Sequence, residues 1–302
     1  MATTKFTTVG LGELLWDVFP NSRQLGGAPA NFAYMTNLLG DEGVVASRIG
    51  SDALGDEAKR WLEQMGLDTS WVQCDATHRT GVVLVKVDAQ GQPTFEIAQP
   101  VAWDFLEWSA SWQRLARRAD AVCFGSLAQR SPQSRETTHS FLNTIRPETT
   151  RVFDVNLRQA FYSAQILSDA AKHADILKLN HDELPTLVQL LGVPFHDEES
   201  AAQWLLNTFH IKLVCLTRGA RGSLLVSEYA KHEHPGVPVQ VADTVGSGDA
   251  FTAALVYHYL RRAPLEQMNE AANRMGSWVA SQTGATPPRD EARLALIRSA
   301  SG

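Results

Sequence analysis

The stretch Val241-Ala-Asp-Thr-Val-Gly-Ser-Gly-Asp249-Ala-Phe251 places two glycines directly before a run of helical periodicity. Phe251, Leu255 and Tyr259 follow at four-residue intervals, so we predict a helix over Asp249–Arg262. Glycines before a helix let backbone N–H groups converge on one point, and the helix dipole adds positive potential there. The stretch therefore predicts an anion site, suited to a phosphoryl group that gains charge during transfer.

Two carboxylates of this stretch each allow two interpretations. Asp249 either complements the helix dipole or acts as a general base that takes a proton from an attacking hydroxyl. Asp243 either caps the turn or helps to hold a cation. The sequence has no G-x-x-x-x-G-K-S/T motif, which excludes a Walker A loop. Gly10-Leu-Gly12 falls short of a dinucleotide fingerprint, because position 15 is Leu.

A second glycine pair lies near the start of the chain, in Leu25-Gly-Gly-Ala-Pro-Ala-Asn-Phe-Ala33. It leads into a helical pattern, and two glycines before a helix permit a ligand to approach the backbone closely. Asn31 offers both a hydrogen-bond donor and an acceptor, which suits a sugar hydroxyl. The alternative is a tight loop with an asparagine near the start of the helix.

Short apolar runs alternate with amphipathic stretches along most of the chain. This repetition predicts a mostly parallel sheet with helices on both faces. The predicted strands are Phe6–Leu11, Val44–Ile49, Ala121–Gly125, Val152–Val155, Ile176–Leu179 and Lys212–Thr217. The predicted helices include Leu54–Met65, Ser134–Ile145, Ser163–Ala174, Glu199–Phe209 and Leu265–Gln282.

Two stretches, Leu14–Leu25 and Gly81–Pro100, break this rhythm and are typical of strands joined by turns. In the second, the sequence Asp88–Gly91 predicts the turn of a hairpin. We therefore predict a small antiparallel flap that projects from the α/β body.

Composition and charge exclude several classes of protein. The chain has 27 basic and 33 acidic residues, a net charge of -6, so it lacks the basic surface of a nucleic-acid-binding protein. It has no basic run suited to a membrane surface, no signal-peptide pattern and no run of 18 apolar residues. Three widely spaced cysteines give no disulfide framework, and Cys123 and Cys215 are expected to be buried thiols. A cytoplasmic location fits these features.

Gly26-Gly27-Ala-Pro-Ala-Asn31 and Asp243–Phe251 together resemble, in order and separation, the two signature regions of the ribokinase-like (PfkB) carbohydrate kinases. The resemblance covers nearly the whole chain. Gly12-Glu-Leu-Leu-Trp-Asp-Val-Phe-Pro20 and Ala102-Trp-Asp104 are most similar to the fructokinase branch. The resemblance implies a single ribokinase-like α/β domain over residues 1–302, with a small antiparallel β lid from about 13–25 and 81–103.

The resemblance implies that the chain phosphorylates the primary hydroxyl of a monosaccharide, with ATP and Mg²⁺. Fructose is the favoured substrate, and 2-keto-3-deoxygluconate and ribose are the alternatives. By match to the family, Asp249 is the catalytic base, and the anion hole comprises Gly246, Ser247 and Gly248. The residues that match the family's sugar-binding positions are Asp17, Gly26, Gly27 and Asn31.

Asp154-Val-Asn-Leu-Arg158 carries polar side chains at every second position after an apolar strand. On an extended segment these side chains would share one face, which suggests a site at the carboxyl end of the sheet. The segment resembles the family's D-x-N-x-R motif beside the active site. Arg158 is the cationic group that a sugar acid would need. The alternative is a capped strand end with an ion pair.

Asn180-His-Asp-Glu183 resembles the family's N-x-x-E motif, which is associated with magnesium and phosphate. Mg²⁺ usually keeps several waters, so we expect Glu183 to act through water. The alternative is a capping box, in which Asn180 caps a helix and Glu183 lies at its third position, and both interpretations are compatible.

Three further matches concern the nucleotide and a second cation. Thr217-Arg-Gly-Ala-Arg-Gly222 resembles the family's nucleotide-binding T-x-G-x-x-G turn, which is compatible with a turn between two strands. By resemblance Thr217, Gly219 and Gly222 bind the nucleotide, and Asn273 falls where the family contacts adenine. Asp243 resembles a position near the site that binds a monovalent cation, K⁺, in many members.

Lids of this family often form a dimer interface, so a homodimer through the lid is one expectation. The sequence itself demands no oligomer. A rival from another class is a sugar- or nucleotide-sensing protein that kept the fold and lost catalysis. Such a protein can dispense with the glycine turn and the base, and both are intact here.

Overall fold

An eight-stranded sheet lies at the centre of the computed structural model, which describes residues 4–19, 21–87, 93–193 and 195–299. The strands, in chain order, are β1 Thr7–Leu11, β2 Leu15–Val18, β3 Arg23–Gly26, β4 Glu42–Ala46, β5 Arg48–Gly50, β6 Gln73–Asp75, β7 Gly81–Val87, β8 Pro93–Ile97, β9 Ala121–Gly125, β10 Thr150–Asp154, β11 Ile176–Asn180, β12 Leu213–Thr217, β13 Ser223–Ser227 and β14 Lys231–His234.

The central sheet has the order β14-β13-β12-β11-β10-β9-β1-β4. Its strands pair in parallel from β4 to β12, and β13 and β14 add an antiparallel hairpin at one edge. The predicted mostly parallel sheet is confirmed. The predicted run Val44–Ile49 contains two strands, because the chain leaves the central sheet after β4 and β5 pairs with β6 instead.

Helices cover both faces of this sheet, as predicted. In chain order they are α1 Ala28–Leu39, α2 Ala53–Gln64, α3 Ala110–Arg118, α4 Pro132–Thr144, α5 Ala164–Lys172, α6 Leu184–Leu191, α7 Glu198–Phe209, α8 Ser247–Leu260, α9 Leu265–Ala280 and α10 Glu291–Ser299. Side-chain caps set several starts; for example, Asp52 accepts a hydrogen bond from the Gly55 N–H at 2.8 Å at the start of α2.

The core consists of two apolar layers, one on each face of the sheet. Alternate residues of the buried strands enter opposite layers: in β9, Val122 lies in one and Cys123 in the other. Helices α1, α8 and α9 cover the face that includes Cys123 and Cys215. Both cysteines are buried free thiols, as the sequence predicts.

The predicted lid is a separate four-stranded sheet with the order β3-β2-β7-β8. It contains two antiparallel hairpins, joined by a parallel pairing of β2 with β7. The predicted turn Asp88–Gly91 lies outside the described residues. The last strand of the lid ends at Ile97, and Ala102–Phe105 forms a 3₁₀ turn. Trp103 of this turn contacts the lid, because a Cβ at Gly81 of β7 would lie 2.4 Å from its Nε1.

Within the described ranges, the search for a helix both long and apolar enough to cross a bilayer found none.

Candidate active site

The carboxyl ends of β9 and β10 meet the first turns of α1 and α8 around one pocket. The pocket is lined by Glu13, Ala28, Pro29, Phe32, Cys123, Phe124, Gly125, Asp154, Asn156, Asp249 and Thr252. In a parallel sheet the strand ends and the helix N-termini lie at the same edge, which is where open α/β sheets bind their ligands. Both glycine pairs identified in the sequence lead into helices at this edge.

The glycine-rich turn presents unpaired backbone donors at the start of α8. Gly246 caps the helix in a left-handed conformation, with φ 76°. The N–H of Ser247 donates to the Thr244 carbonyl at 3.2 Å, and its hydroxyl donates to the same oxygen at 2.7 Å. Ser247 therefore holds the turn together. The N–H groups of Gly246, Gly248 and Asp249 have no hydrogen-bond acceptor among the described residues, so these three can bind an anion.

Substituting Gly246 by Ala should disrupt this turn. A Cβ there would lie 2.5 Å from the Ala285 Cβ, and φ is positive. We expect G246A to lower kcat more than tenfold, because displaced N–H donors no longer match the charge that develops in transfer. Gly192 provides a matched control, since it has φ +66° with no heavy atom within 4 Å of an added Cβ. If steady-state assays show that G246A and G192A lose activity equally, the turn has no special role.

Asp249 lies in the first turn of α8 and is held by a side chain from α1. The amide nitrogen Nδ2 of Asn31 donates to Asp249 Oδ2 at 2.8 Å. Burial and the charge of Asp154 raise the Asp249 pKa to about 6, against the opposing effects of the Asn31 hydrogen bond, Lys178 and Arg158. A carboxylate that is oriented and has a pKa near neutrality is well suited to general base catalysis.

A buried lysine beneath the glycine turn was missed by the sequence analysis. The ammonium of Lys178 donates to Asp154 Oδ1 at 3.0 Å, and Asp154 Oδ2 accepts from the Thr252 hydroxyl at 3.1 Å. Burial acts to lower the Lys178 pKa, but the charges of Asp154, Glu183 and Asp249 raise it above its usual value. Lys178 therefore carries a fixed positive charge under the carboxylates. The available signal was a lysine within an otherwise apolar strand.

The two glycines before α1 allow the chain to pass close to the Asp17 carboxyl group in the lid and to the backbone of the β1–β2 connection. A Cβ at Gly26 would lie 2.4 Å from Asp17 Oδ2, and one at Gly27 would lie 2.5 Å from the Glu13 carbonyl oxygen. Burial raises the Asp17 pKa to about 6, and Arg158 opposes the shift. Asp17 is therefore a partly desolvated carboxylate that contacts the glycine pair before α1.

Glu13 is a second residue that the sequence analysis did not single out. Its side chain is buried in the pocket, and its Oε2 has no hydrogen-bond partner among the described residues. Burial raises the Glu13 pKa to about 7, and the negative charge of Asp249 also raises it. The pKa is lowered by the backbone N–H groups of Glu13 and Ala28 and by the charge of Arg158. An acidic residue directly after a buried strand was the available signal.

Arg158 is exposed, and its charge acts on Glu13, Asp17 and Asp249. The extended strand ends at Asp154, and Asn156 adopts φ 43°. The expectation that polar side chains of this segment share one extended face is therefore wrong beyond the strand. Beyond this turn, Arg158 acts through its charge on carboxyl groups from three other parts of the chain.

Asn180 and Glu183 form a reciprocal cap after β11. The Asn180 Oδ1 accepts the Glu183 N–H at 2.9 Å, and Glu183 Oε2 accepts the Asn180 N–H at 2.8 Å. Glu183 Oε1 accepts the Leu157 N–H at 2.9 Å. Burial raises the Glu183 pKa, and the positive charge of Lys178 is the main effect that lowers it. The reciprocal hydrogen bonds of the predicted capping box are therefore present, but α6 begins at Leu184, so Glu183 lies at its N-cap position and not at its third residue. A contact of Glu183 with magnesium through water stays a prediction.

The residues expected at the nucleotide lie around the β12–β13 turn. Thr217 ends β12, and Gly219 and Gly222 border a 3₁₀ turn that connects to β13. The buried amide of Asn273 donates to the Ser223 hydroxyl at 2.7 Å and to the Asn269 carbonyl at 2.8 Å. The amide nitrogen of Asn273 is thus committed within the protein, and its contact with adenine stays a prediction.

Asp243 connects the glycine-rich turn to the loop after α9. Its Oδ1 accepts the Val245 N–H at 3.0 Å, and its Oδ2 accepts the Gly284 N–H at 3.1 Å. The capping interpretation therefore describes its contacts, and its proximity to a K⁺ ion stays a prediction. Among the described residues, no three or more His, Cys, Asp or Glu side chains are grouped so that they could hold a metal ion.

Comparisons with known proteins show which family the chain resembles and which solved structures share its fold. The family described as pfkB family carbohydrate kinase matches residues 5–292. Fructokinase of Salmonella typhimurium is 33% identical over 258 residues, which cover 82% of each chain. The crystal structure of fructokinase with bound ATP from Xylella fastidiosa superposes with a TM-score of 0.84 at 25% identity, covering 98% of this chain and 99% of that one. The crystal structure of fructokinase from Vibrio cholerae O395 in its fructose-, ADP- and calcium-bound form superposes with a TM-score of 0.79 at 26% identity, covering 97% of this chain and 99% of that one.

Proposed function

We propose a specific reaction for this chain, which belongs to the pfkB family of carbohydrate kinases and is an ATP-dependent sugar kinase: transfer of the γ-phosphoryl group of ATP to the primary hydroxyl of fructose. One observation carries the proposal. Asp249 lies in the same helical turn as three unpaired N–H donors, and it lines a pocket at the edge of the sheet where the parallel strands end. Phosphoryl transfer needs such positioning together with charge stabilisation.

Asp249 is the general base of this mechanism. Asn31 holds Asp249 Oδ2, so Oδ1 is left to accept the proton of the sugar hydroxyl as its oxygen attacks phosphorus. The Asp249 pKa of about 6 keeps the carboxylate mostly ionised at neutral pH and still basic enough to take a proton. In this account Asn31 positions the base, in addition to any contact with the sugar.

The N–H groups of Gly246, Gly248 and Asp249 bind the transferred group and stabilise its developing charge. Mg²⁺, when bound with ATP, neutralises phosphate charge. Both carboxylate oxygens of Glu183 already accept backbone N–H groups, so this residue fits a contact with hydrated Mg²⁺ better than direct ligation. Closure of the lid over the sugar excludes water and so suppresses ATP hydrolysis.

The charges around the pocket favour a neutral sugar over a sugar acid. Glu13 and Asp249 line the pocket, and the charge of Arg158 acts on both of them and on Asp17. The carboxylate of 2-keto-3-deoxygluconate would bring another negative charge to this group, and like charges repel strongly where water is excluded. Arg158 is the residue that favours the sugar acid, because its exposed guanidinium can pair with the carboxylate of such a substrate.

Comparing kcat/KM for fructose, ribose and 2-keto-3-deoxygluconate tests the substrate. We expect fructose to exceed both alternatives by at least tenfold, since one misplaced or missing hydroxyl contact costs about that much. ATP hydrolysis without sugar serves as the baseline. A higher kcat/KM for the sugar acid would overturn the assignment of fructose, and it should then be lost in R158M.

Three expectations stay predictions: a homodimer through the lid, a cytoplasmic location and a requirement for K⁺. The homodimer is supported by Leu84 on β7, an apolar side chain of the lid that is 38% exposed and could be covered by a second copy of the chain.

A further inference from the structure

We infer that Glu13 contacts the acceptor sugar through Oε2 and that this contact selects the pattern of hydroxyl groups that the enzyme accepts. The inference rests on the proposed function, because it takes the pocket beside Asp249 to be the sugar site. It concerns a specificity-determining residue that touches the substrate, and the chemical class of ligand is a neutral polyhydroxylated sugar.

The unpaired oxygen of Glu13 is the first observation. The residue is only 3% exposed, and Oε2 has no partner among the described residues. A buried polar atom without a hydrogen bond is costly, on the order of 1–3 kcal/mol, so nearly all such atoms in folded proteins have a partner. Because Glu13 lines the pocket, a hydroxyl group of a bound ligand can supply the missing hydrogen bond.

The position of Glu13 is fixed by the backbone around it. Gly12 accepts a hydrogen bond at its carbonyl from the buried Ser47 hydroxyl at 2.6 Å, and its own N–H donates to the Ala46 carbonyl at 3.1 Å. On the other side, only a glycine at position 27 can pass so close to the Glu13 carbonyl. The backbone of Glu13 is therefore held in place, and the burial of the residue limits the positions that its side chain can take, as is needed in a group that discriminates between substrates.

The neighbours of Glu13 place it within reach of a single sugar molecule. It shares the pocket with Asp249, the base that must touch the reacting hydroxyl. Arg158 acts electrostatically on both of these carboxyl groups and on Asp17. A sugar whose primary hydroxyl faces Asp249 can therefore place another hydroxyl at Glu13, which lines the same pocket.

The protonation of Glu13 suits a hydroxyl partner. Burial and the charge of Asp249 raise its pKa, and Arg158 and two backbone N–H groups lower it, with a result of about 7. Near neutral pH the carboxyl group is thus protonated in part of the molecules. Each form complements a hydroxyl group, since the carboxylate accepts a hydrogen bond and the protonated acid can also donate one.

A cycle of enzyme variants and deoxy sugars tests this inference. The enzymes are wild type, E13Q and E13A, and the substrates are analogues of the sugar that the wild type turns over best, each lacking one hydroxyl that is not phosphorylated. For one analogue we expect the wild type to lose roughly 10- to 100-fold in kcat/KM. In E13A the same deletion should cost less than about threefold, because the partner of that hydroxyl is already gone.

The variants also separate binding from folding. E13A should raise the KM for the intact sugar and leave the KM for ATP unchanged. E13Q keeps the shape of the side chain and one acceptor oxygen, so it should fall between E13A and wild type. Thermal unfolding without ligands reports any loss of stability. A purely structural role would change the melting temperature but leave the penalty of every hydroxyl deletion the same.

Identical deletion penalties in wild type, E13Q and E13A would overturn the inference. If E13A does not fold, the comparison of E13Q with wild type decides by the same criterion. Failure of the proposed function has a different signature, because wild-type enzyme would then phosphorylate none of the sugars. A wrong assignment of fructose changes only the parent sugar of the series.

Discussion

Replacing Asp249 by Asn or Ala should lower kcat by roughly 10²–10⁴-fold while the affinities for sugar and ATP largely survive. The substitution removes the group that accepts the proton of the attacking hydroxyl and leaves the N–H groups of the helix terminus in place. D249N is the more informative variant, because its side-chain oxygen can still accept from Asn31 Nδ2. Steady-state kinetics give kcat, and isothermal titration calorimetry with sugar and a non-hydrolysable ATP analogue gives the affinities.

Asp56 offers a matched control for the alternative that Asp249 only complements a helix dipole. It is likewise an acidic residue in the first turn of a helix, α2, but it is exposed and outside the pocket lining. D56N should keep near wild-type activity. Near-normal turnover by D249N would refute the assignment of the base, and equal losses in both variants would mean that the dipole interaction alone matters.

The pH dependence of kcat in the wild type should also report Asp249 as the general base. The Asp249 pKa of about 6 lies above its usual value, so the carboxylate takes up a proton as the pH falls through this range. A protonated base cannot accept the hydroxyl proton, and kcat should fall about tenfold per pH unit below the apparent pKa. Glu13 and Asp249 interact, so the profile reports values that belong to the coupled groups. The residual activity of D249N should lack this acidic limb.

The sheet and the glycine turn could be predicted from the sequence because their signals are local. Buried strands such as Ala121–Gly125 are short apolar runs, and the structure has that strand at the same residues. Gly246 has a positive φ, a backbone conformation that glycine adopts without steric cost, so the residue type itself indicates a turn there. Family resemblance added the sugar-binding role expected of Asp17, which apolar periodicity alone does not contain.

The partners of the site residues could not be predicted in this way. Asn31 was expected at the sugar, yet its amide holds Asp249, which lies 218 positions away in the sequence. Lys178 occupies a single position in a strand, and its role depends on Asp154 in the neighbouring strand and on Thr252 in α8. Such contacts arise from the packing of distant segments, so no pattern within one segment reveals them.

Replacing Lys178 by Met should destabilise the protein by about 3–5 kcal/mol, the usual loss when one partner of a buried ion pair is removed. Lys178 and Asp154 are both nearly fully buried, and their side chains meet at 3.0 Å. Met fills similar space but leaves the Asp154 carboxylate without its cation. The free energy of unfolding, measured by urea denaturation, checks this value. In K178M the Asp249 pKa should also rise, because Lys178 lowers it, and the acidic limb of kcat should move to higher pH.

Two further variants show whether the loss comes from the unpaired charge. K172M removes an exposed lysine that pairs with Asp169, and it should change the free energy of unfolding by less than about 1 kcal/mol. The double variant K178M/D154N removes both charges of the buried pair, so it should recover part of the stability that K178M loses, because an amide is far cheaper to bury than a lone carboxylate. A K178M protein as stable as wild type would mean that water reaches Asp154 and replaces the ammonium. The positive charge under the glycine turn would then be dispensable for folding, and only the shift of the pH profile would remain as evidence for its action on Asp249.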